Sequence, residues 1–404
     1  MGADPAKLKP LPGRADLSGM RGWAWRLYLG AGAVATGVYY LLPPGPRAVL
    51  NLVVGASAVA AIAAGIRWHR PGRRLAWGLI AAAQALFVAG DALFSLNELV
   101  LGIEPFPSLA DGLYIPGYPV LAAGLALLAR SRSARAGHDL AGVLDAAIIA
   151  IGFGLLSWVL VMVPYFQDPS LGLVELLVSL AYPVGDVLLL ALAARLATTP
   201  GRSPVAFRLL IASLAATLVA DISFAVLALR GADTTVTDAG YLAAYLLLGA
   251  SALHPSLPAL SATALAPRAR LGRGRLLAMG AAALVAPALL IFQRLIGTDI
   301  QVAAIAGAWV VLFVLVMARM AGLVRGIERS EAERRHLLDQ TMQAAEQERI
   351  HIAAELHDGP IQRLSVLSYD LERARQRVLG IPAAVARLEH AQASLSAEVR
   401  GCAS

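Results

Sequence analysis

His357 stands beside Asp358, and Gln362 follows one turn of helix later, in the run Glu348-Arg349-Ile350-His351-Ile352-Ala353-Ala354-Glu355-Leu356-His357-Asp358-Gly359-Pro360-Ile361-Gln362. A neutral imidazole nitrogen is a nucleophile toward a phosphoryl group. The neighbouring carboxylate can accept a hydrogen bond from the other ring nitrogen, or take its proton. The Gln362 amide can hold a water in line for hydrolysis of an aspartyl phosphate docked alongside. Pro360 lacks an amide hydrogen and bends a helix where it stands. Together these groups can receive a phosphoryl group and later release it. His336, His351 and His390 have no such company and read as surface helix histidines.

These side chains need helices to position them. Leu338, Met342, Ala345, Ile352 and Leu356 form a heptad-like stripe, broken by Arg349 where an apolar residue is due. Ile361, Leu364, Leu367, Leu371, Ala374 and Val378 continue it. Gly380-Ile381-Pro382 is a turn. Val385, Leu388, Gln392, Leu395 and Val399 form the seam of a returning helix. Two antiparallel helices with one apolar face each bury those faces by dimerising into a four-helix bundle.

Residues 345 to 400 resemble the dimerisation and phosphoacceptor domain of bacterial sensor histidine kinases. The subfamily is the one paired with LuxR-type, DNA-binding response regulators, of the nitrate-sensor and lipid-fluidity-sensor kind. Glu348, Arg349, Ile350, Ala353, Glu355, Leu356, His357, Asp358, Gln362 and Leu364 carry the likeness. It implies that His357 is phosphorylated, that Asp358 assists, and that Asp358 with Gln362 supports dephosphorylation of the regulator. It also implies a homodimer through residues 345–400. The family follows the returning helix with an ATP-binding domain bearing an Asn box and a Gly-rich lid. This sequence stops at Gly401-Cys402-Ala403-Ser404, and no Gly-rich phosphate cradle appears in its soluble part. The expectation is a chain truncated before the ATP-binding domain. It holds no cofactor itself, ATP and Mg being bound only by the missing domain, and His357 is loaded in trans if at all.

Ahead of this segment the composition changes. The 404 residues are 58% hydrophobic and 15% charged, well below the usual charged share of a soluble protein. Ten apolar runs, from Trp23–Leu42 to Ile300–Leu323, are long enough to cross a bilayer core. They are continuously apolar rather than alternating, which excludes a β-barrel. The fold class is all-α, a polytopic membrane part followed by a helical hairpin. The net charge of +7 sits in alternate loops, so it reads as membrane topology rather than direct nucleic-acid binding. Arg67, Arg70, Arg73 and Arg74 follow the second run, Arg130, Arg132 and Arg135 the fourth, and Arg268, Arg270, Arg273 and Arg275 precede the ninth. The intervening loops carry Glu98, Glu104, Asp168, Asp233 and Asp299. Both termini then face the cytoplasm of a bacterial inner membrane. One cysteine, Cys402, excludes an intrachain disulfide.

The apolar part repeats itself. Asp111-x-x-Tyr114-x-x-x-Tyr118 recurs as Asp238-x-x-Tyr241-x-x-x-Tyr245, and Tyr182-Pro183-Val184 echoes Tyr118-Pro119-Val120. Tyr118, Tyr182 and Tyr245 are about 63 residues apart, two runs per period. Asp91 and Asp221 each stand three residues before a phenylalanine. The Asp-x-x-Tyr spacing puts both groups on one helix face. Acids at membrane depth face a bundle interior, so Asp91, Asp186 and Asp221, with Asp111, Tyr114, Tyr118, Asp238, Tyr241 and Tyr245, are candidate sensing residues. The alternative for them is packing and interfacial anchoring.

The expected organisation is a tail over 1–22, a sensory membrane domain over 23–325, a signalling helix over 326–344 and a partial phosphoacceptor domain over 345–404. The expected activity is that of a membrane sensor histidine kinase in a phosphorelay, partnered by the bilayer, a response regulator and a kinase domain in trans. Two alternatives stay open: a non-enzymatic dimerising modulator of intact kinases, and a small-solute transporter.

Overall fold

The computed structural model describes residues 15–103, 105–132, 139–198, 203–260, 273–296, 301–356 and 362–402. Among the described residues there are helices and their connections but no strand. They fall into two compact units, Met1–Ala321 and Gly322–Ser404.

The first unit holds α1 (Ala15–Tyr39), α2 (Pro44–His69), α3 (Arg74–Leu96), α4 (Asp111–Arg132), α5 (Asp139–Ser157), α6 (Val163–Gln167), α7 (Leu173–Thr198), α8 (Val205–Leu229), α9 (Asp238–Leu253) and α10 (Arg273–Ile296), and the start of α11 (Val302–Leu356). Local sequence sets the ends. Pro44 opens α2, where its missing N–H costs nothing. Arg70 closes α2 in the left-handed region, its N–H returning to the Ile66 carbonyl, and Pro71 prevents continuation. After α3 the chain runs through a wide turn at Asn97–Leu101, which Gly102 ends at φ 65°. Pro116, Pro119 and Pro183 lie inside helices and are held there by neighbouring helices.

The repeat unit of the sequence is a packed pair of helices. α3 lies against α4, and α8 against α9. α9 also packs on α2, and α7 packs on both α4 and α5. Trp77, Ile80, Leu125, Leu189, Leu196 and Leu210 form part of one buried cluster. Small residues let the backbones approach: Gly65 of α2 faces the Ala252 carbonyl of α9, and a side chain at Gly124 of α4 would lie 2.9 Å from the Ala76 carbonyl.

Eight helices among the described residues are long and apolar enough to cross a membrane. Two of the ten expected spans stand apart from these eight: α1 covers the first, and Met279–Leu295, a shorter apolar helix, covers the ninth. Large apolar side chains point outward, Leu41 at 83% and Leu109 and Leu295 at 80% exposure. Water would penalise such a surface and lipid would not. These features are compatible with a multi-pass membrane protein.

A buried ion pair stands among the described residues of this unit. Arg319 of α11 donates from Nε to Asp145 Oδ1 of α5 at 2.6 Å, with side-chain exposures of 6% and 0%. Arg319 falls within the last apolar run, Ile300–Leu323, and its charge is buried. A buried guanidinium needs its carboxylate, because removing one partner leaves the other uncompensated.

The second unit contains the rest of α11, then α12 (Gln362–Arg377) and α13 (Pro382–Cys402). Side chains 324–352 are all exposed. α12 and α13 pack on one another, joined by the expected turn before Pro382. Val385, Leu388, Gln392 and Leu395 are half-buried, as the seam requires. On α12 the half-buried stripe runs through Leu364, Ser368, Leu371 and Ala374, with Val378 just past its end, while the expected Leu367 is 51% exposed. Steps of four and three from Leu364 reach Ser368 and Leu371, so a straight heptad seam bypasses Leu367. Arg375 ties the hairpin together, contacting Glu372 at 3.2 Å and Glu389 of α13 at 3.3 Å.

Replacing Asp145 by Asn should destabilise the first unit by about 3–5 kcal/mol. Arg319→Gln in the Asp145→Asn background should recover part of that loss. Chemical unfolding of the purified chain in detergent, read on the two variants and the parent, checks both.

Candidate functional site

The conserved spacing of acids and tyrosines inside this one sequence becomes a hydrogen-bonded circuit in three dimensions. In the α3–α4 pair, Tyr114 donates to Asp91 Oδ1 at 2.7 Å. In the α8–α9 pair, Tyr241 donates to Asp221 Oδ1 at 2.8 Å. The first tyrosine of each Asp-x-x-Tyr motif therefore serves the acid of its own helix pair. The second tyrosine reaches across. Tyr245 of α9 donates to Asp91 Oδ2 at 3.0 Å, and Tyr118 of α4 hydrogen-bonds Asp186 of α7. Asp186 and Asp221 meet side chain to side chain. The circuit thus passes from α3 to α4, α7, α8 and α9 and back to α3.

Glycines make the geometry possible. Gly90 precedes Asp91, and a Cβ there would fall 2.5 Å from the Tyr114 ring. Gly185 precedes Asp186, and its missing Cβ leaves room for the Tyr118 ring. Each ring lies on the bare backbone beside the acid that its hydroxyl meets. In the α8–α9 pair, the close approach is between Ala220, before Asp221, and Gly240, before Tyr241.

The motif acids have a different task. Asp111 accepts from the Ser108 backbone N–H at 2.6 Å and from the Ser108 hydroxyl at 3.1 Å. This is a capping-box arrangement at the start of α4. Asp111 also receives the Tyr182 hydroxyl of α7. Asp238 at the start of α9 accepts from Tyr39 of α1 at 2.6 Å. Glu175, one period after Asp111, accepts from the Gly172 N–H and so caps α7 in the same manner. In the connecting loops, Asp168 and Asp233 are held below the usual carboxylate range by hydrogen bonds from Ser170 and Thr235. They are Asx-turn acids.

All nine sensing candidates named from the sequence line one cavity of about 680 Å³. Asp91, Tyr114 and Tyr245 form one cluster there; Tyr118, Asp186, Asp221 and Tyr241 form the other. Asp111 and Asp238 stand apart at helix starts. Sequence reasoning missed Tyr39, which serves Asp238, and Asn51, which donates to Asp91 at 3.2 Å. It missed Gln84 as well, a cavity residue only 4% exposed. Asn51 and Gln84 were visible as polar interruptions of apolar runs. Tyr182 was visible in the 63-residue step, but only the fold supplies its partner.

Among the described residues no cluster of His, Cys, Asp and Glu is suited to hold a metal ion. Gln362 is the first residue of α12 and is exposed. His357 and Asp358 lie outside the described residues.

The seat at Gly90 can be tested. Gly90→Ala should displace the Tyr114 ring and cost about 1–3 kcal/mol. Adding Tyr114→Ala should make the alanine at 90 nearly neutral, because the clashing ring is gone. A double-mutant cycle on unfolding free energy measures this; independent, additive effects would show that the ring does not rest there.

Comparison with known proteins is informative at one end of the chain. Neither a curated protein nor a solved structure matches it. Residues 348–402 match the HisKA_3 family model, described as histidine kinase, and this range contains His357, Asp358 and Gln362. The match covers this segment alone, and there the chain is similar to the dimerisation and phosphoacceptor segment of histidine kinases.

Proposed function

We propose that the chain is a membrane-embedded sensor histidine kinase of a two-component system, with His357 as its phosphoacceptor. The observation that carries this reading is the family match over 348–402, which spans the His357-Asp358 pair and Gln362. An imidazole nitrogen of His357 attacks the phosphoryl donor, the new P–N bond forms as the bond to the leaving phosphate breaks, and Asp358 accepts the proton of the other nitrogen. A regulator aspartate then takes the phosphoryl group, restoring the imidazole. Gln362 orients water for the reverse, hydrolytic function.

Residues 345–404 contain no Gly-rich cradle for nucleotide phosphates. The nucleotide that donates the phosphoryl group is therefore held by a kinase domain outside these residues. The half-buried seams on α12 and α13 support a homodimeric four-helix bundle, with α11 leading into it as a signalling helix over 326–344. Ten spans over 23–325 form the sensory domain, a short tail over 1–22 precedes them, and both termini lie in the cytoplasm of a bacterial inner membrane. The loop arginines support that orientation. The carboxyl and tyrosine circuit is the input site, and a response regulator of the LuxR type is the acceptor. A shift or bend of α11 carries the signal.

Membrane vesicles bearing the full chain, supplied with a partner kinase domain and labelled ATP, provide the test. Label should enter as an acid-labile phosphoramidate and vanish in His357→Gln. Gln362→Ala should still take up label but dephosphorylate the regulator at least about tenfold more slowly. Label that persists in His357→Gln would overturn the assignment. Dimerisation without any label in the parent chain would favour a non-enzymatic modulator instead.

A further inference from the structure

Two carboxyl groups in contact need a positive charge between them, either a proton or a larger cation. Asp186 and Asp221 are such a pair. Asp186 is 6% exposed, and apart from the partner carboxyl no protein group donates to its Oδ1; the same holds for Asp221 Oδ2. Their tyrosines occupy other positions, Tyr241 donating to Asp221 Oδ1.

A second feature points into the same space. Gln84 lines the cavity, is 4% exposed, and its side-chain Nε2 has no partner. A buried amide left unpaired costs about 1–3 kcal/mol, a cost that a polar ligand group brought within reach of Gln84 would offset. Gln84 and Asp91 lie two turns apart on one face of α3, about 10 Å along the helix. The cavity wall is therefore polar at two levels of α3.

The charge balance of the walls chooses the ligand. Among the described lining residues, Asp91, Glu98, Asp111, Asp186, Asp221 and Asp238 are acidic, and Arg47 alone is basic. Arg47 is already engaged, donating to the Leu42 carbonyl at 3.1 Å and lying over the Tyr39 ring. Phe87, Tyr118 and Tyr182 stack edge to face along one wall. Carboxyl groups among aromatic faces are the chemistry of ammonium recognition. An anion would meet like charge here, and no described cluster suits a metal ion.

We propose that this cavity binds a compact organic cation, a protonated amine whose ammonium group seats at Asp186 and Asp221, whose apolar body lies on the aromatic wall, and whose second polar group meets Gln84. The volume of about 680 Å³ accommodates a molecule of that size. The inference rests on reading the apolar unit as the input domain, and it supplies the chemical class of the signal.

The test uses the full chain in lipid nanodiscs and two probe pairs. Tyramine is compared with tyrosol, its uncharged alcohol analogue, and choline with 3,3-dimethylbutan-1-ol. Binding is followed by calorimetry. Tyramine should bind at least about tenfold more tightly than tyrosol, and Asp186→Asn should weaken tyramine by about 30-fold. Gln84→Leu should weaken tyramine by about fivefold yet keep the preference for the charged probe. If Asp186→Asn does not fold, Asp221→Asn takes its place. The proposal is overturned if neither cation binds more tightly than its neutral analogue, or if tyramine binds the Asp186 and Asp221 variants as it binds the parent. The input reading is judged separately: tyramine bound by the nanodisc sample but without effect on His357 labelling in vesicles would sink that reading while leaving the site.

Discussion

A carboxyl group between apolar helices has no water to turn to, and the first unit is arranged around that constraint. Unpaired, each such group would cost several kcal/mol. Asp91 draws three donors from three different helices: Asn51 of α2, Tyr114 of α4 and Tyr245 of α9. Asp111 and Asp238 draw theirs from α7 and α1. A tyrosine is suited to the role because its ring adds apolar burial while its hydroxyl delivers a single donor at a fixed distance. The helix order, the glycine seats and the cavity all follow from satisfying these acids. Asp145 obeys the same constraint by other means, using the formal charge of Arg319.

Much of this was legible in the sequence, because period and composition report one-dimensional facts. Continuous apolar runs marked the helices, and Gly380-Ile381-Pro382 marked the turn between α12 and α13. The recurring Asp-x-x-Tyr motif marked hairpins and named residues that do share one cavity. What the motif could not show was who bonds whom. Asp111 and Tyr114 share a helix face but serve different partners, and their shared face only suggested a joint role. The partner of Asp238 is Tyr39, 199 residues away, and no local spacing encodes such a contact. The partner of Arg319 was hidden for a related reason, since its acid lies 174 residues earlier. Leu367 was lost to the seam because its place in the heptad belongs to Ser368, and hydrophobicity alone outvoted register.

The C-terminal segment was read from chemistry rather than from packing. His357, Asp358 and Gln362 are informative by type and order, and the family match covers the same stretch. The helix that leads there has two characters along its length. Near its start it carries the buried Arg319, and over 324–352 its side chains are exposed within a single chain. Exposed pairs such as Arg335 with Glu331 and Arg349 with Glu346 contribute little on a solvated surface. An amphipathic helix of that length is held by association more than by its own pairs.

The circuit of acids and tyrosines also has an order in time. As the chain is made, Asp91 is followed by Tyr114 after only 23 residues, and Asp221 by Tyr241 after 20. Asp91 and Asp221 therefore each have a donor within their own helix pair, whereas Asp145 meets Arg319 only once α11 has been made. The bond from Tyr245 to Asp91 spans 154 residues and must wait until α9 has been synthesised. Within the circuit, the link back to α3 is the last to be made.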